Sequence, residues 1–195
     1  MSSLVLTGDT SGAVTLAAPA VAGTNTLTLL AATATSSVNV LATAVASTSG
    51  TSIDFTSLPA WVKKITVMFS GVSVSITSSI QVQLGTGSTT YTTTGYVGSA
   101  VRFSASALTA TSFTTGFGLN NSVAAALISG SMTITNLTGN TWSASGTGGS
   151  ADAGFLVFAT GGSIALAAAL TAVRITTVNG TDTFDAGSVN ILYEG

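Results

Sequence analysis

The chain has no cysteine and no histidine, and only four basic and six acidic side chains in 195 residues. Without cysteine there is no disulfide framework, so the chain need not mature in an oxidising compartment. Without either residue there is no imidazole base, no thiolate nucleophile and no Cys/His metal cluster. The charges are Lys63, Lys64, Arg102 and Arg174 against Asp9, Asp54, Asp152, Asp182, Asp185 and Glu194. A net charge of −2 leaves no basic face, the electrostatic footprint of nucleic-acid binding. The opening Met1-Ser2-Ser3-Leu4 lacks the basic n-region and long apolar run of a signal peptide. These absences remove most catalytic chemistry. The expectation is a non-enzymatic protein without a cofactor.

What is present is Thr, Ser, Ala, Gly and Val, with 46% hydrophobic residues and a mean hydropathy of +0.64. A chain of this length and composition buries a real core. Its surface has little charge for solubility, so it is hidden in an oligomer, coated with hydroxyls, or both. Three Asn-x-Ser/Thr sequons, at Asn120, Asn136 and Asn179, are what a Ser/Thr-rich chain produces by chance.

Phe155 to Val173 is uncharged and about long enough to span a bilayer. Gly161-Gly162-Ser163 interrupts it, its first half is β-prone and no basic flank precedes it. Two strands joined by a Gly-Gly-Ser turn is the better reading, with no membrane insertion.

Period-two alternation runs through the chain. Leu4/Leu6, Val14/Leu16 and Leu27/Leu29 mark three short strands that bury too little apolar area to stand alone. They read as a stem that pairs with identical copies around a threefold axis, and as the end that anchors the protein. Residues 36–50 are weakly patterned, a linker or another stem strand, so the stem is assigned 1–50 with a soft boundary near Ser47 to Thr51. From Ile53 the alternation strengthens, as in Ile65/Val67/Phe69, Ile80/Val82/Leu84, Met132/Ile134 and Val189/Ile191/Tyr193. Gly71, Gly85-Thr86-Gly87, Gly139-Asn140, Gly146 to Gly149 and Asn179-Gly180 punctuate it as turns. Candidate strands fall near 53–56, 62–72, 78–85, 94–104, 111–119, 124–136, 140–145, 154–166 and 172–194, the last read as two. Residues 51–195 are thus expected to form an antiparallel, jelly-roll-like β-sandwich, the knob of an all-β protein. Ile164 to Leu170 has the alanines for a helical turn or two, but its Gly and β-branched flanks argue otherwise.

Few constellations carry chemistry. Asn179 to Asp185 holds Asp182 and Asp185 beside an Asn-Gly turn, but the spacing is not that of an EF-hand, and Asp commonly caps turns. The same pair lacks the opposed cleft that glycosidase acids need. The glycine-rich pieces have no following Lys-Ser/Thr to cradle a phosphate. Aromatic faces stack on sugars, so Tyr91 and Tyr96, in a Thr-rich segment, and Trp142, after the Gly139-Asn140 turn, are the candidates for receptor or glycan contact. The competing reading places Trp61 and Trp142 in core or subunit packing.

Two sets of strings carry a family resemblance. LVLTGDTSGAVTLAAPAVAGTNTLTL resembles a segment recurring in tail-fibre and other appendage proteins of tailed bacteriophages. IDFTSLPAWVKKITVMFSGVS, IQVQLGTG, TTGY, ITNLTGNTW and VRITTVNGTDTFDAGSVNILYEG resemble a module found with it. The resemblance implies a β-rich, trimeric virion component assembled in the bacterial cytoplasm. It would be a capsid decoration or head fibre, or alternatively a tail-fibre receptor-binding module. Its partners would be its own copies, capsid or tail proteins and host-surface carbohydrate.

Overall fold

The structure is a computed structural model that describes residues 3–7, 13–17, 38–104, 107–121, 123–124, 126–150 and 156–195. The chain divides into two compact units, Met1–Ser36 and Ser37–Gly195. In the first, β1 (Ser3–Thr7) and β2 (Ala13–Ala17) pair antiparallel, with Leu4 opposite Leu16 and Leu6 opposite Val14. Leu27 and Leu29, assigned to a third stem strand, lie outside the described residues.

The stem boundary at residue 50 needs correction. β3 (Asn39–Leu41) and β4 (Val45–Ala46) belong to the second unit, where both pair with the C-terminal strand. Their weak side-chain pattern hid a backbone role, that of covering a strand whose amides and carbonyls would otherwise lie on an open edge. Ser47 closes this segment down by donating its buried hydroxyl to the Ala186 carbonyl at 2.7 Å.

The second unit continues with β5 (Ser52–Phe55), β6 (Lys64–Val74), β7 (Ile80–Gly85), β8 (Val97–Ser104), β9 (Ala107–Phe113) and β10 (Phe117–Leu119). It ends with β11 (Ile128–Thr138), β12 (Thr141–Ser150), β13 (Leu156–Ala165), β14 (Ala172–Thr177) and β15 (Phe184–Glu194). Two antiparallel sheets result. One has four strands, in the order β10-β7-β14-β5. The other has nine, running β3-β15-β6-β11-β12-β13-β8-β9, with β4 also on β15. The chain passes between the sheets repeatedly, as the alternating pattern of a sandwich predicts. One hydrophobic core lies between them, including Ile65, Val67, Ile80, Val82, Leu84, Ile134 and Ile191, all fully buried.

The alternation locates most strands within a few residues, and four readings change. The 111–119 candidate is two strands on different sheets, β9 and β10. Gly161-Gly162-Ser163 is not a turn but the middle of β13, a continuous ten-residue strand. Gly146 to Gly149 likewise lies inside β12, and Gly71 inside β6 at a bulge with φ +61°. At Gly71 the reason is the positive φ of the bulge, and at Gly146, Gly148, Gly149 and Gly162 it is close approach rather than chain reversal. Gly162 faces Gly98 across β13 and β8, and a Cβ on Gly162 would come within 2.8 Å of the Gly98 Cα. The paired glycines leave a trough in which Phe117 of the opposite sheet is buried. Among the described residues no helix is long and apolar enough to cross a membrane.

Candidate functional site

The predicted contact aromatics do not form an exposed cluster. Tyr96 is 2% exposed and Trp142 is 3% exposed, both within the core. Tyr96 is therefore corrected from a receptor contact to a structural residue. β10 reaches along β7 only as far as Phe117, opposite Val82; beyond it β7 keeps β14 on one side and has no strand of the sheet on the other. The Tyr96 hydroxyl takes over there, accepting from the Leu84 amide at 2.7 Å, while the Thr92 amide donates to the Leu84 carbonyl at 2.9 Å. Its ring meets Phe117 edge-on, with centroids 5.0 Å apart. Burial pushes the Tyr96 phenol up to about 12, against the opposing pull of the Leu84 amide. Trp142 is corrected in the same way, because an inward position on β12 places its indole in the sandwich. Trp61, by contrast, is partly exposed and rests on Tyr193, with centroids 5.8 Å apart.

Tyr91 is half-buried, and the Arg174 guanidinium lies 4.0 Å from its ring centroid. That guanidinium is also forked onto Asp54, with Nε to Oδ1 at 2.8 Å and Nη2 to Oδ2 at 2.7 Å. Burial first, then the Asp54 charge, raise the Tyr91 phenol above the ordinary value. One face of this ring is thus already occupied.

Asp182 and Asp185 serve different neighbours. Asp182 is buried and caps the β14–β15 turn, accepting from the Ser78 amide at 3.0 Å and from Asn179 Nδ2 at 2.6 Å. Asp185 is exposed and accepts from the Ser73 hydroxyl. Among the described residues no cluster of three or more His, Cys, Asp or Glu is arranged to hold a metal ion.

Two other surfaces stand out. The first is a cleft of about 310 Å³ on the outer face of the four-stranded sheet. Because Ile80, Val82 and Leu84 point into the core, Gln81 and Gln83 point the other way. They are nevertheless only 2% and 6% exposed. The segment after β9 holds them: Thr115 Oγ1 donates to Gln81 Oε1 at 2.8 Å, and Gln83 Nε2 donates to the Thr115 carbonyl at 2.9 Å. Arg174, Thr176, Thr93 and Asn179 complete the lining that matters here. The alternation Ile-Gln-Val-Gln-Leu carried this signal in the sequence, but two glutamines on a strand do not reveal that a distant loop will order them.

The second surface is the outer face of β13, β8 and β9. Val157 pairs with Phe103, which pairs with Leu108, so three apolar side chains form one cross-strand row. They are 57%, 50% and 66% exposed. The next rows are Ala159-Val101-Ala110 and Gly161-Ser99-Ser112, with no charge among them. The Lys64–Glu194 ion pair, at 2.7 Å, lies far across the sheet on β6 and β15. β9 is also an edge strand of seven residues, Ala-Leu-Thr-Ala-Thr-Ser-Phe, without charge or proline. Comparison with protein-family models, curated proteins and solved structures finds no match to this chain.

Proposed function

We propose that the protein is a non-enzymatic structural component of a tailed-phage virion, a trimeric capsid decoration or head fibre exposed on the particle. The alternative within the same reading is a tail-fibre module that attaches the virion to its host. The observation that carries the proposal is the uncharged row Val157-Phe103-Leu108 beside the edge strand β9, where Asn120 engages Thr109 and Thr111 but no further strand pairs. Edge strands of isolated proteins are ordinarily protected by charge, proline or a bulge, and this one has neither charge nor proline. A second copy of the chain offers the matching surface: uncharged, apolar at its centre and rimmed by hydroxyls. Copies arranged around an axis cover this edge, and the phage-like strings at residues 4–29 supply the attachment end.

Native mass measurement tests the assembly. A trimer is expected, and Phe103→Lys with Leu108→Lys should yield a folded monomer. A wild-type monomer overturns the trimer. Imaging virions that carry a tag at Gly195 tests the location. Label over the capsid supports decoration, label only at the tail supports the attachment module, and no label overturns the virion role.

A further inference from the structure

We infer that the cleft over Gln81 and Gln83 is a binding site for a neutral carbohydrate. The inference deepens the adhesive side of the proposed function by naming a ligand class and a place for it.

The argument starts from charge. Arg174 is the basic side chain at the cleft, and Asp54 neutralises it through two bonds. That fork uses two of the five guanidinium N–H donors, so the group still offers hydrogen bonds without offering net charge. An anion would find no uncompensated cation here. Apart from Val178 and Gly180, the remaining lining consists of hydroxyls and amides, which both donate and accept. Sugar hydroxyls do the same, which suits them to such a wall better than an apolar ligand.

Order is the second element. Amide side chains on the outer face of a sheet are usually solvated and mobile. Here both are buried and tethered to Thr115, and Thr176 Oγ1 is tethered to the Thr51 carbonyl at 2.8 Å. Side chains already held in place lose little freedom on binding, which lowers the cost of association. At about 310 Å³ the cleft is at the small end of ligand pockets, roughly 300–1,000 Å³, which suits one or two sugar rings. Tyr91, beside Arg174, has one face under the guanidinium and is not a free stacking platform. Hydrogen bonds must therefore carry recognition, and a single site will be weak. Repetition over the copies of an assembly turns weak sites into firm attachment.

The test uses the purified full-length chain. Glucose, galactose, mannose and N-acetylglucosamine, with glucuronate as a charged comparison, are titrated against it by saturation-transfer and chemical-shift NMR. At least one neutral sugar should bind with a dissociation constant on the order of 1 mM, and glucuronate should bind at least tenfold more weakly. Thr93→Trp places bulk in the cleft from an exposed position and should weaken binding tenfold or more while the chain stays folded. Gln83→Leu, which removes an amide and keeps a similar length, should do likewise.

Failure of every neutral sugar to bind overturns the inference, as does binding unchanged in Thr93→Trp. A change of native mass in Thr93→Trp also overturns it, by marking the cleft as a contact between copies. Sugar binding by a protein that virion imaging fails to find on particles would remove the virion role and leave the site standing.

Discussion

Tyr96→Phe isolates one hydroxyl in the core. The substitution keeps the ring, its edge-on contact with Phe117 and nearly all of the buried apolar area. It removes the acceptor of the Leu84 amide, which lies on the side of β7 that β10 no longer covers. A buried amide left without a partner costs about 1–3 kcal/mol. For a unit of this size that corresponds to a fall in Tm of about 2–12 °C. The phenol also makes stability depend on alkaline pH. Its folded pKa of about 12 lies above the ordinary 10, so the unfolded chain loses its proton first. The stabilisation is complete below pH 10 and disappears as pH rises through 12, amounting to at most ~3 kcal/mol. Tyr91 shifts in the same direction and stays in the variant, so the difference between the two proteins is the readout. Urea unfolding between pH 8 and about pH 12 should show the wild type losing stability faster than Tyr96→Phe. Equal melting at neutral pH, or parallel alkaline slopes, would refute the buried hydroxyl and reopen a surface position for Tyr96.

Trp142→Ala should cost about 3–5 kcal/mol in denaturant unfolding, as a large core truncation does. Trp142→Phe should cost less, because the buried indole N–H has no hydrogen-bond partner to lose. Gly162→Val should cost at least about 1–3 kcal/mol, since its Cβ would meet the Gly98 Cα and the Val97 carbonyl, both backbone. Stability of the Gly162 variant equal to wild type, by the same unfolding assay, would remove the trough under Phe117.

Strand existence was legible because one face of each sheet is buried and period two has a single cause. Val67, Ile134 and Ile191 lie where alternation put them. The glycines were misread because the same residue serves turns and close approach, and only the partner decides between them. Gly139 has open space around its Cα and sits in the β11–β12 turn, whereas Gly162 lies against Gly98. The aromatic contacts failed for a related reason. Thr89 to Tyr96 looks exposed by composition, yet Tyr96 is drawn inward to complete an unfinished strand edge, a need that arises from the short length of β10. Gln81 and Gln83 were visible as alternation but not as a cleft, since Thr115 reaches them from more than thirty residues away.

The two outer faces divide the scarce polar groups unequally. The four-stranded sheet takes the Asp54–Arg174 fork, both ordered glutamines and the half-buried Tyr91. Across β13, β8 and β9 the larger sheet shows only small, hydroxylated and apolar side chains. With so few charges in the chain, the contrast has a physical consequence for assembly. Dehydrating hydroxyl and methyl surface is far less costly than dehydrating an ion pair, so in the proposed assembly the larger sheet is the face that would give up its water to another copy. The smaller sheet keeps groups whose hydrogen bonds are worth most to a ligand arriving from solution. If the copies associated through the smaller sheet instead, Asp54→Asn would change the native mass while Phe103→Lys with Leu108→Lys left it intact. The reverse is expected.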